Sequence, residues 1–306
     1  MSDPAAETAS VGAAMGVVAA MDTNQRTAIL DDPDSGLREP SAVGGPDLPD
    51  RFSPRFAKGF AWYVPRLLRR HFHAVRLLSG DARHFEAARD HGGPVLIAMT
   101  HPGWWDPIVA FWLWSRWLGD RSPIAPMEAE QLRRFGFFRR LGIFGIDPDA
   151  PDALRRTAGH IARRFAEDRR RVLWITPQGR FTDARDDAPL RPGAAAIAAS
   201  TEGALVIALA VEYAFWQDQR PEVFLAAAQV EPPEGAGFRR TTPGWHRALT
   251  AALRGVRARL AESVVARNPD AFEALLGGDA ARINPLYDLW LRLRGRGGAI
   301  AARRRP

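Results

Sequence analysis

Cysteine is missing from all 306 residues, which excludes disulfide staples, zinc–thiolate sites and thiol nucleophiles, and with them a secreted disulfide scaffold. Lysine is nearly missing too: Lys58 is the sole lysine among 42 basic residues. No run of eighteen apolar residues occurs, so no membrane-spanning helix is expected. The apolar patch from Val11 to Met21 follows Asp3 and Glu7 instead of a basic stretch, which argues against a secretory signal and for a chain that stays on the cytoplasmic side. There is no Gly-x-Ser-x-Gly elbow, which excludes an α/β-hydrolase nucleophile. Gly92-Gly93-Pro94 precedes an apolar run instead of following one, so it does not qualify as a phosphate loop.

What is present is a 46% apolar chain with no composition shift after residue 50, enough for one globular domain with a full core. The 42 Lys+Arg against 35 Asp+Glu leave a net charge of +7. The pI near 10.8 suits an anionic partner: membrane phospholipid, coenzyme phosphates or nucleic acid.

Four segments follow from composition. Residues 1–50 mix Ala, Gly, Ser, Pro and Asp without periodicity and are expected to be disordered. Residues 51–80 are expected to be amphipathic helices, with Phe56, Phe60, Trp62, Tyr63, Leu67, Leu68 and Phe72 interleaved with Arg55, Arg66, Arg69 and Arg70, and with Pro65 kinking or dividing them. Such a segment fits a bilayer headgroup region, and it fits equally an ordinary helix packed on the domain. Residues 81–283 carry alternating strand and helix signals, and 284–306 end in arginines that read as a solvated basic tail. The alternation predicts an α/β fold, a central, mostly buried sheet flanked by helices.

Within 81–283, the run Val95-Leu96-Ile97-Ala98-Met99 predicts a buried strand and Ile108 to Leu118 a helix. Between them lies Thr100-His101-Pro102-Gly103-Trp104-Trp105-Asp106-Pro107. Asp106-Pro107 is a helix-start signal. In one reading Asp106 is only the N-cap and His101 a polar residue at a strand end. In the other, Asp106 fixes the imidazole of His101 so that it serves as a general base. Five of the ten tryptophans fall between Trp104 and Trp117, either as core packing or as the lining of an apolar slot. A second apolar run, Val172 to Thr176, ends in the polar turn Pro177-Gln178-Gly179-Arg180. Further strands are predicted at Ala204 to Val211 and Val223 to Gln229, with a basic helix over 245–265. The remaining histidines form no compact ligand set with a carboxylate, so no metal site is expected.

With both turns in view, the sequence resembles the glycerolipid and lysophospholipid acyltransferase family, the group related to 1-acylglycerol-3-phosphate acyltransferases. His101 to Asp106 is similar to the family's His-x4-Asp block. Pro177-Gln178-Gly179-Arg180 is similar to its Pro-Glu-Gly-Thr-Arg block, with Gln178 in place of the glutamate and no threonine before Arg180. Phe137 to Phe144 resembles the block between them, where Pro148 stands in the place of an arginine. The Pro-Gly-Ala-Ala at 192–195 and the run into Glu212-Tyr213-Ala214-Phe215-Trp216 extend the likeness. The resemblance implies transfer of a fatty acyl group from coenzyme A or acyl carrier protein thioester to a lipid hydroxyl. It implies His101 as base and Asp106 as its orienting partner, with Gln178, Gly179 and Arg180 at the substrate, and needs no cofactor beyond the acyl donor. It also implies peripheral contact with an anionic membrane. The altered second and third blocks point away from lysophosphatidic acid as acceptor. The rival reading is an arginine-rich nucleic-acid- or membrane-binding protein without catalysis. It requires aromatics exposed for stacking, whereas many of them here lie in apolar runs, so no nucleic-acid partner is expected.

Overall fold

Ser53 and Pro54 set the start of the first helix, α1 (Pro54–His71). The Ser53 hydroxyl accepts the Phe56 N–H, and proline sits near the helix start, where its missing N–H had no partner to lose. The protein is seen in a computed structural model that describes residues 46–216, 218–234 and 241–277. Helix α1 runs unbroken through Pro65. One N–H is lost there, but the buried stripe Phe56, Phe60, Val64, Leu67 and Leu68 continues on both sides of it and holds the helix together. That stripe packs into the core, so the apolar face of α1 is spent inside the protein. Of its aromatics Trp62 is left 62% exposed, with Arg66 stacked over the ring.

Helical character was expected up to Leu78, but Ala74–Leu78 is strand β1, and all five residues are buried. Arg76, which reads as part of a basic helical face, lies within this strand. It tolerates burial because Glu222 forms an ion pair with its guanidinium and Trp216 stacks near it. Helix α1 and strand β1 therefore belong to the same body as the rest of the sheet.

The chain continues through α2 (Ala82–Asp90), β2 (Val95–Met99), α3 (Asp106–Trp117), β3 (Pro123–Glu128), α4 (Ala129–Arg134) and β4 (Ile143–Ile146). Then follow α5 (Ala153–Glu167), β5 (Val172–Ile175), α6 (Gly193–Ser200), β6 (Leu205–Ala214), β7 (Glu222–Gln229), α7 (Thr242–Val265) and β8 (Phe272–Gly277). The eight strands form one sheet in the order β4-β3-β5-β2-β6-β7-β1-β8. The first five in that order are mutually parallel. Strand β7 runs antiparallel to β6, β1 parallel to β7, and β8 antiparallel to β1.

Alternation along β2 shows how the sheet is covered. Val95, Ile97 and Met99 pack into one apolar layer with α1 and α3, and Leu96 and Ala98 into the other with α5, α6 and α7. Continuous apolar runs are what a sheet covered on both faces requires. The expected α/β architecture is thus the observed one.

The expected disordered segment 1–50 and basic tail 284–306 lie outside the described residues, except for 46–50. There Leu48 bridges Gly145 on the edge strand β4, and the buried side chain of Asp50 hydrogen-bonds His160 and forms an ion pair with Arg164 of α5. Those five residues are part of the packed chain.

Candidate active site

Strand β2 lies between β5 and β6 and parallel to both, with Ala98 opposite Ile175 and Met99 opposite Leu209. All three strands leave the sheet at one edge, so the turn after β2, the turn after β5 and the end of β6 meet there. This is where open α/β sheets gather their reactive groups. Thr100, the first residue beyond β2, is tied to β6 twice: its N–H reaches the Leu209 carbonyl at 2.9 Å, and its hydroxyl accepts the Val211 N–H at 2.9 Å.

His101 follows. Its Nδ1 is 2.6 Å from Oδ2 of Asp106, and its side chain is 20% exposed while that of Asp106 is fully buried. A carboxylate has only acceptors to offer, so Nδ1 carries the proton and Nε2 keeps a free lone pair. Asp106 is the first residue of α3 but does not cap it: the N-cap position is Trp105, without a side-chain hydrogen bond. The carboxylate turns back instead, where Oδ2 also accepts the Gly103 N–H at 3.0 Å. The other oxygen, Oδ1, accepts the hydroxyl of Tyr213 from β6 at 2.5 Å. Burial and the adjacent Asp106 carboxylate push the Tyr213 phenol well above its ordinary value, so it remains a donor.

The second turn is joined to the first. Gln178 Oε1 accepts the His101 N–H at 2.7 Å, and its Nε2 donates to the Thr182 hydroxyl at 2.8 Å. Thr182 N–H in turn donates to the His101 carbonyl at 3.0 Å. The expectation that Gln178 holds substrate meets a side chain 5% exposed, with both amide ends bonded inside the protein. Gln178 ties the two turns together. Gly179 has φ +66°, and a Cβ there would lie 2.7 Å from Arg191 Nε, so the space beside it is filled by that side chain. Arg180 and Arg191 are exposed, and neither has an ion-pair partner among the described residues. Phe181 sets its ring 4.5 Å from that of His101 and is 59% exposed.

The tryptophan cluster divides. Trp112 and Trp114 are core residues, Trp105 packs against Phe72 at 5.1 Å, and Trp104, 38% exposed, lies at the turn itself. Tyr213 is the site residue that sequence reading left without a role. Its only signal was the run 212–216 at the end of a predicted strand, and nothing local tells that this strand neighbours β2. Among the described residues no group of histidines and carboxylates has metal-binding geometry.

The parallel-sheet edge thus carries a carboxylate-held imidazole braced by the neighbouring strand's turn, in an α/β domain. The sequence pattern of the family described as Acyltransferase matches residues 82–212, from α2 through β6, and this stretch of the chain belongs to that family. This domain match supports an acyltransferase. No curated protein matches the chain.

Proposed function

We propose that the protein moves a fatty acyl group from a thioester of coenzyme A or acyl carrier protein to a hydroxyl of a lysophospholipid-like or other lipid acceptor. The observation that carries this reading is the His101–Asp106 pair, with Nδ1 engaged at 2.6 Å in a side chain that stays 20% exposed. The acceptor oxygen attacks the thioester carbonyl carbon while Nε2 of His101 takes the hydroxyl proton. Asp106 stabilises the imidazolium that forms. Collapse of the tetrahedral species breaks the C–S bond, and the imidazolium returns its proton to the departing thiolate. The logic parallels a Ser-His-Asp triad, except that the nucleophilic oxygen belongs to the substrate.

Arg180, exposed and without an ion-pair partner among the described residues, suits a phosphate or other anionic group of either substrate as a planar fork, and Arg191 adds a second guanidinium at the same turn. Trp104 and Phe181 place exposed aromatic surface beside His101, which together with the +7 charge supports peripheral contact with an anionic membrane on its cytoplasmic side.

General-base assistance of this kind is worth about 10²–10⁴-fold. His101→Ala should therefore leave a folded protein with acyl transfer down by about that factor, read as thiol release from an acyl thioester in the presence of lipid acceptor. Wild-type rates in that variant would refute the mechanism.

A further inference from the structure

The carboxylate of Asp106 is fully buried, and a buried anion needs every oxygen satisfied. Oδ2 is engaged by His101 and by the Gly103 N–H. Oδ1 depends on the Tyr213 hydroxyl, at 2.5 Å and 107 residues away in sequence. Tyr213 is itself well fixed. It sits on β6, whose backbone is pinned to Thr100, and its ring lies 5.7 Å from that of Phe72 at an interplanar angle of 27°. A Cβ on Gly103 would touch its Cε2 at 3.5 Å.

We propose that Tyr213 is a positioning residue of the acyl-transfer site, acting through Asp106 to keep the His101 imidazole aligned as a base. The inference rests on the reading of His101 as base. A donor on Oδ1 takes up part of the carboxylate's charge, so Asp106 pulls less strongly on the Nδ1 proton and favours the imidazolium less. Remove the donor and the imidazolium is stabilised further, so the base stays protonated, and unable to accept, to a higher pH.

The phenol is held in its protonated form by burial and by the carboxylate it faces, so its donor role persists throughout the range in which an imidazole titrates. The charged and titratable groups near this cluster, among the described residues, lie to its sides. Glu212 lies on the opposite face of β6, paired with Arg185; His71 sits beyond the Trp105 ring; Arg180 is on the adjoining turn.

Tyr213→Phe keeps the ring and removes only the donor. In the full-length protein we expect the acid limb of kcat/KM to move up by about half to one pH unit. The loss should be several-fold near pH 7, fall on kcat with KM little changed, and shrink as pH rises. The His101 ring, followed by NMR titration, should show the same upward displacement. An unmoved midpoint, or a loss equal at every pH, would overturn the assignment and leave Tyr213 a packing residue. Replacement of the three tyrosines by 3-fluorotyrosine, a stronger donor, should move the midpoint the opposite way and serves if Tyr213→Phe does not fold. The NMR midpoint judges Tyr213 without any turnover, whereas an absence of acyl transfer in the wild-type protein counts against the proposed function alone.

Discussion

At the scale of the residue, Gln178 shows how one amide can brace two turns. The backbone N–H of His101 needs an acceptor and Thr182 Oγ1 is offered a donor, and one amide supplies both, at 2.7 and 2.8 Å. Gln178→Leu would leave the His101 N–H without its acceptor in a half-buried site. It should cost about 1–3 kcal/mol of stability and lower turnover more than a surface change does, since the two turns lose their side-chain link. Urea denaturation and a thiol-release assay on the same preparation check both halves, and unchanged values in both would show that the backbone bond from Thr182 to His101 suffices.

At the scale of the element, the segment 46–50 and helix α5 form a clasp at the β4 edge. Asp50, 1% exposed in its side chain, meets His160 Nε2 at 3.2 Å and pairs with Arg164. Burial acts to raise the Asp50 carboxyl, but hydrogen bonds from His160 and Arg164 outweigh it and hold the group below its ordinary 3.8. A carboxyl depressed in the folded state stabilises the fold above its unfolded value, and that contribution disappears as pH falls from 3.8 through the lower folded value. Asp50→Asn should thus lower Tm near neutrality and flatten its decline across that acid window. A wild-type slope in the variant's Tm-against-pH curve would show that the clasp contributes nothing to acid unfolding.

At the scale of the whole molecule, the proposed contact with a lipid surface rests on charge and exposed aromatic surface. Among the described residues no helix is long and apolar enough to cross a membrane. The face of α1 that suited a bilayer is buried in the core, which moves attention to the turn edge, where Trp104 and Phe181 are exposed. The double variant Trp104→Ala/Phe181→Ala should sediment several-fold less with vesicles of anionic phospholipid while its Tm stays near the wild-type value, because neither side chain belongs to the core. Equal sedimentation of the two proteins would remove this edge as the contact surface.

Local signals were enough for the frame of the site. Five buried apolar residues in a row define β2, Asp106-Pro107 marks the start of α3, and a second run ends at Pro177, so the two turns and the pair His101 and Asp106 were legible as a sequence. Strand β1 was not, because Arg76 and its neighbours share the residue types of an amphipathic helix until Glu222 arrives from β7 to pair with the guanidinium. The Tyr213 contact to Asp106 and the Gln178 brace to His101 span 107 and 77 residues and exist only because β6 and β5 flank β2. Chain-local chemistry determined which residues are suited to the reaction. Strand order, which no short stretch encodes, decided which of them share one carboxylate and how the imidazole is held.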